Sequence, residues 1–193
     1  MQQLSPRDAL TIARIVRFNH AGEFGAIRIY SAQILVAGWL CPDALPALTD
    51  MLGHEREHCA AFHAAMPKRN SRPWRIMRLW SLGGWLLGFL TALHGRQGVW
   101  ACTAAVEATV HRHLDDQLHF LAARDPEFDT IILSVREEEL AHLHHAEQQL
   151  QSPGRFLNVL RNGIAVMTDV LIWLSTWGDS RRMERALRAA NVQ

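Results

Sequence analysis

Six residues in this 193-residue chain have the types and the spacing to hold metal. Glu23 is followed by Glu55-x-x-His58, and at the same interval Glu107 is followed by Glu139-x-x-His142. These are the only two Glu-x-x-His pairs in the sequence, and one constant offset carries each member of the first set onto its mate in the second. Within a helix, residues three apart share a face, so each Glu-x-x-His can aim both side chains at one point. Four carboxylates and two imidazoles contributed by four helices form the pattern with which helical bundles hold a pair of metal ions. One imidazole per metal leaves coordination positions open, as oxygen activation requires.

A single Glu-x-x-His on a helix is more often a solvated surface pair. The repeat and its context argue otherwise. Glu23 sits in Ala21-Gly22-Glu23-Phe24-Gly25-Ala26 and Glu107 in Ala104-Ala105-Val106-Glu107-Ala108, stretches too apolar for a water-facing stripe. Carboxylates with imidazole favour iron or manganese, and no cysteine set for structural zinc or an iron–sulfur cluster is present. Glu57, Glu137 and Glu138 neighbour the chosen acids, but none has a histidine three residues on. His54, His144 and His145 are expected to be exposed, whereas His20 and His113 are candidates for hydrogen bonding to the ligands from behind. Tyr30, the only tyrosine, stands two helical turns (about 10 Å) from Glu23, a separation that argues against a radical-generating site.

Positioning these residues calls for long helices, and helical periodicity dominates the chain with no strand-like alternation. Ser5-Pro6-Arg7-Asp8 reads as a cap, a first-turn proline and a first-turn acid, opening a helix to about Leu40. Helices follow over about Asp43–Ala65, Gln97–Ala123, Pro126–Leu150 and Arg155–Trp177. The last carries Phe156, Leu160, Ile164, Met167, Leu171 and Leu174 on one stripe. The basic remainder from Gly178 is expected to be frayed or solvent-facing. The midpoint of Glu23 and Glu55 is position 39, and that of Glu107 and Glu139 is 123, each at the edge of a turn. Two antiparallel hairpins would bring the acids level, about 16 residues or roughly 24 Å from each turn.

Composition sets the outer limits. A hydrophobic fraction of 49% supports one well-packed domain over 1–193, and a net charge of +1 suggests no nucleic-acid partner. Three cysteines without Cys-x-x-Cys spacing point away from a disulfide framework and toward a reducing compartment. The first residues lack the basic and apolar regions of a signal peptide, which fits a bacterial cytoplasmic protein or a processed form.

Between the hairpins lies an apolar crossover, about 72–94. From Leu79 to Leu93 it carries no charge, a run short of the roughly 20 residues needed to span a bilayer. Arg72, Arg75 and Arg78 interleave with Trp74, Trp80 and Trp85, a mixture suited to the membrane interface. Three glycines and two tryptophans also make it unusual as a buried connector. A dimetal site beside such a segment suggests oxidation of a lipid-soluble substrate.

The residues that surround the ligands carry a resemblance. Asn19-His20-Ala21-Gly22-Glu23-Phe24-Gly25-Ala26-Ile27-Arg28-Ile29-Tyr30, Glu55-Arg56-Glu57-His58, Ala101-Cys102-Thr103-Ala104-Ala105-Val106-Glu107 and Arg136-Glu137-Glu138-Glu139-Leu140-Ala141-His142 closely resemble the demethoxyubiquinone hydroxylase family over roughly positions 10–177. The resemblance implies an all-α, ferritin-like four-helix bundle with an extra C-terminal helix. It implies two iron ions on Glu23, Glu55, His58, Glu107, Glu139 and His142, with no catalytic residue beyond these ligands. The implied reaction inserts one oxygen atom from O2 into the ring of a demethoxyubiquinol. Electrons would come from NADH, another reductant or the quinol itself. Peripheral attachment to membrane lipid follows, on the cytoplasmic side of a bacterial inner membrane, with possible partners in a biosynthetic complex.

Asn19, Phe24, Leu114 and Trp173 depart from the family's commonest residues (Asp at the first, Tyr at the others), and none is a ligand. Two rivals stand beside this reading. One is another ferritin-like di-iron oxidoreductase, of ferroxidase or peroxidase type; the other is a non-catalytic quinone-binding bundle. An iron-storage exterior would not tolerate the Leu79–Leu93 run, and the cysteine-based iron centre usual in rubrerythrins is missing.

Overall fold

Capping chemistry starts the first helix where the sequence places it. The Ser5 hydroxyl accepts the Asp8 N–H at 3.1 Å with Pro6 in the first turn, and α1 runs Pro6–Leu40. A computed structural model describes residues 4–75, 77–150, 155–175, 177–178, 180–182 and 184–185. The remaining helices are α2 (Leu45–Ala65), α3 (Met77–Ala92), α4 (Gly95–Leu121), α5 (Pro126–Gln149) and α6 (Arg155–Ser175), with 3-10 turns at Pro42–Ala44 and Pro67–Arg69. The described residues contain no strand, so the fold is an all-α bundle. The Ser152-Pro153-Gly154 break and residues 186–193 lie outside the described residues.

Helices α1 and α2 form one hairpin and α4 and α5 the other. Asp125 joins them at one end. Its Oδ1 caps α5 through the Phe128 N–H at 3.1 Å, and both its oxygens accept from Arg69, at 2.7 and 2.9 Å. The expected equal distance from the turn holds in the second hairpin, where Glu107 is almost as far from Leu121 as Glu139 is from Pro126, the helix ends that face the turn. In the first the acids are level without being equidistant: Glu23 lies nearly two helical turns farther from Leu40, the end of α1, than Glu55 lies from Leu45, the start of α2, yet the two meet in one layer. The Pro42–Ala44 turn packs back along α1, so α1 overshoots its partner and leaves Leu35, Trp39 and Leu40 exposed.

The interior is layered along the bundle. Ile12, Ile15, Val16, Phe62, Leu114, Phe128 and Ile132 form one apolar cluster, and Tyr30, Val36, Leu48, Met51, Trp100 and Leu143 belong to another. On every one of the four helices the predicted ligands fall between residues of the two clusters.

The crossover is a helix with two faces. Toward α1 it presents glycine: a Cβ on Gly84 would lie 2.4 Å from the Gly25 carbonyl oxygen, and one on Gly88 would lie 2.3 Å from that of Ile29. Two of the three glycines that seemed odd for a packed helix are therefore what allows it to pack. Its opposite face exposes Leu82, Leu86, Leu90 and Leu93. Trp80 meets the Phe18 ring edge-on at 6.5 Å, and Trp85 stacks on Phe89 at 5.0 Å.

Helix α6 packs on α4 and departs from the expected stripe. Ile164 and Ile172 are buried, while Met167 and Leu174 are exposed with Val159, Val166 and Val170; the Phe156 side chain lies outside the described residues. The described residues after Trp177 do not all face solvent as expected. Ser180 is buried, and Arg182 donates to Asp8 Oδ1 at 3.0 Å, bringing this segment to the start of α1.

Gly88→Ala is expected to destabilise the protein by about 1–3 kcal/mol through overpacking against α1. Gly83→Ala, where a Cβ meets nothing within 4 Å, should be neutral or stabilising. Denaturant unfolding compares the two, and equal effects would contradict the packing described.

Candidate metal centre

All six predicted residues meet in the layer between the apolar clusters, each at most 6% exposed. Ligand-type atoms converge in two overlapping groups, Glu23, Glu55, His58 and Glu139, and Glu55, Glu107, Glu139 and His142, with separations inside each group of 4.8 Å or less. Glu55 and Glu139 belong to both groups. His58 Nδ1 lies 3.3 Å from Glu139 and 3.9 Å from Glu23. His142 Nδ1 lies 3.5 Å from Glu55 and 3.6 Å from Glu139.

Several of these buried atoms have no hydrogen-bond partner: both oxygens of Glu55, one of Glu139, and Nδ1 of His58 and of His142. Orphaned acceptors at this depth are costly unless a cation satisfies them. With three carboxylates and one imidazole in each group, the donors fit a hard-to-borderline divalent ion such as iron or manganese.

Without a cation, protons take its place. Burial, reinforced by the Glu55 and Glu139 carboxylates, raises Glu23 well above the ordinary range. Burial and Glu139 likewise raise Glu55 and Glu107. Burial alone would lower the His58 imidazolium, but Glu139 and Glu23 outweigh it and hold it at about 9. Glu139 moves the other way: burial would raise it, yet Glu107, His142 and His58 around it prevail and lower it.

Behind the predicted ligands stand residues the sequence reading missed. His58 Nε2 meets Glu138 Oε2 at 3.0 Å, and His142 Nε2 meets His54 Nδ1 at 3.0 Å, with the two rings parallel within 9°. His54, expected to be exposed, is half-buried against a ligand; His144 is indeed exposed, and the half-buried His145 packs edge-on to Trp100. The signal was available, because the offset that relates the two ligand sets also relates position 54 to position 138. His20 and His113 do not fill the role expected of them: His20 lies beside the His63 ring, and His113 pairs with Asp169 of α6 at 2.9 Å.

Tyr30 corrects a second expectation. Distance along α1 from Glu23 was the wrong measure, because the Tyr30 hydroxyl crosses to α4 and donates to Glu107 Oε1 at 2.7 Å. Among the departures from the family pattern, Asn19 forms a reciprocal amide pair with Gln117 at 2.7 and 3.1 Å, tying α1 to α4. Phe24 faces outward under Arg28.

A cavity of about 720 Å³ reaches this layer. Glu23, Glu55, Glu107 and Glu139 line it, with Gly22, Gly25, Ile29, Gly84, Leu87, Val106 and Leu171 along its walls. Exposed residues among its lining, Arg75, Gly83, Leu174 and Trp177, place its opening beside α3 and the end of α6. No described helix is long and apolar enough to cross a membrane.

Residues 10–175 match the family model described as "Ubiquinone biosynthesis protein COQ7". The 3-demethoxyubiquinol 3-hydroxylase of Rhodospirillum rubrum is 34% identical over 172 residues, covering 88% of this chain and 80% of that protein. The mitochondrial NADPH-dependent 3-demethoxyubiquinone 3-hydroxylase of Dictyostelium discoideum is 34% identical over 168 residues, 86% of this chain and 76% of its own length. The human protein of the same name is 38% identical over 135 residues, and the match spans 68% of this chain and 61% of the human one.

The raised groups set a pH dependence. Relative to 6.5 for an ordinary histidine, His58 at about 9 keeps its proton in the folded state while the unfolded state loses it. Its contribution to stability is complete below pH 6.5 and is lost as pH rises toward 9. The raised glutamates act in the same direction above 4.5. Calorimetry of the metal-free protein should therefore show a melting temperature that falls across this window, with added Mn²⁺ stabilising more at higher pH. A rise with pH in the metal-free protein would refute the assignment.

Proposed function

The chain belongs to the family of the ubiquinone biosynthesis protein COQ7 and is a hydroxylase of the demethoxyubiquinol type; on that premise we propose that two iron ions, held by Glu23, Glu55, His58, Glu107, Glu139 and His142, carry its chemistry. The observation that carries the proposal is the convergence of orphaned carboxylate and imidazole atoms at the inner end of an apolar cavity. When bound there, iron would supply the reduction of O2 and the delivery of one oxygen atom to the substrate ring.

The chain's own residues do the rest. Glu138 and His54 engage the outer Nε2 atoms, so both imidazoles turn Nδ1 toward the centre. Tyr30 fixes Glu107 by donating to its Oε1. Ile29, Leu87, Val106 and Leu171 exclude water from the path of the quinol, while Gly22, where a Cβ would meet nothing within 4 Å, leaves room for its flat ring. The volume of about 720 Å³ lies within the ordinary range for a small-molecule site, enough for the ring with part of its isoprenoid tail. Relatives are named as NADPH-dependent, and a nicotinamide donor is the reductant proposed here.

Substrate this apolar reaches the cavity from lipid. Leu82, Leu86 and Leu90 on α3 with Leu93 just after it, and Val159, Val166, Val170 and Leu174 on α6, expose apolar faces beside the cavity opening, with Arg72 and Arg75 just before α3 and Arg78 in its first turn. The protein would lie on the membrane surface, both faces in the acyl boundary and the arginines at headgroups. We place it on the cytoplasmic face of a bacterial inner membrane.

Three measurements test this function. Protein loaded under reducing conditions should contain about two irons per chain. In a ubiquinone-requiring host without its own hydroxylase, the chain should clear the demethoxy intermediate, and Glu107→Ala should leave it accumulated while helical content is retained. Leu86→Glu with Val170→Glu should reduce flotation with anionic liposomes by about tenfold. Absence of iron, full activity of Glu107→Ala, or unchanged flotation would each overturn the corresponding part.

A further inference from the structure

The sequence repeat that places the ligands also places the groups behind them, and there the two halves differ. His58 has a carboxylate, Glu138, on its outer nitrogen, whereas His142 has the imidazole of His54. With Nδ1 of His142 turned to the centre, its Nε2 carries the hydrogen, and His54 Nδ1 must accept it as a neutral ring. A carboxylate partner pushes more electron density onto an imidazole than a neutral partner does.

The terminal carboxylates differ in the same sense. Glu107 gives up part of its charge to the Tyr30 hydroxyl. The repeat matches Tyr30 with Leu114, a buried cavity residue with no hydroxyl, and among the described residues no hydroxyl reaches Glu23. Both differences enrich one group of donors and deplete the other.

We infer that the two metal positions are unequal: the Glu23–Glu55–His58–Glu139 position is the tighter and fills first, and the Glu55–Glu107–Glu139–His142 position is the weaker and more electron-withdrawing. Glu138, His54 and Tyr30 are the positioning residues that set this order. The inference rests on the six residues being the metal ligands.

Mn²⁺ alone, titrated into the metal-free full-length chain, provides the test, followed by calorimetry and electron paramagnetic resonance. Wild-type protein should bind in two steps about 10–100-fold apart, the range over which such partners alter metal affinity. At one equivalent the spectrum should be that of isolated Mn²⁺, with spin-coupled pairs appearing only as the second equivalent enters. Glu138→Gln, which keeps an acceptor but removes the charge, should weaken the tight step. Tyr30→Phe and His54→Glu should tighten the weak step. All three narrow the gap, but from opposite ends, whereas mere damage to the fold would weaken both steps together. Two equal steps in the wild type, or a gap that none of the variants narrows, would overturn the inference while leaving the ligand set intact. Failure to bind Mn²⁺ at all would overturn the ligand set and the inference with it.

Discussion

Four carboxylates and two imidazoles buried in one layer impose the strongest constraint on this molecule. Such a layer is unstable unless charge is balanced by protons or by cations, and the raised glutamates and His58 indicate which substitute acts when metal is lacking. The apolar clusters above and below keep water out along the bundle, so the acids have only one another and the cavity to face. Caps, turns and the Arg69–Asp125 pairing serve the same end by fixing the register of four helices that must each deliver a charge to one depth.

That the six residues share one buried layer was legible in the sequence, because each position depends on local helical spacing and on a repeat. Partners across helices were less legible. Tyr30 looked distant when measured along its own helix, since nothing local reveals that it faces Glu107 across the bundle. His54 and Glu138 could have been found by stepping back one position from Glu55 and from Glu139, since the repeat relates these two as well. Equal distances from the turns were inferred from symmetric hairpins, and only the second is symmetric; the first folds back on α1 and still brings Glu23 and Glu55 together. The glycines of α3 were misread for a related reason: a backbone-to-backbone contact leaves no periodic side-chain signal, and its partner residues on α1 are remote in sequence.

The fold joins an interior charge layer to an exterior apolar surface by a short route. Helix α3 touches α1, which carries Glu23, and α6 touches α4, which carries Glu107. Each accessory helix thus has one face against a ligand-bearing helix and another, apolar face turned outward, with the cavity between them.

Where α1 and α3 meet at Gly25 and Gly84, part of the cavity wall is main chain rather than side chain. No rotamer can swing aside there. The helices touch there backbone to backbone, so this stretch of wall is set by the α1–α3 contact and moves only if the helices themselves part.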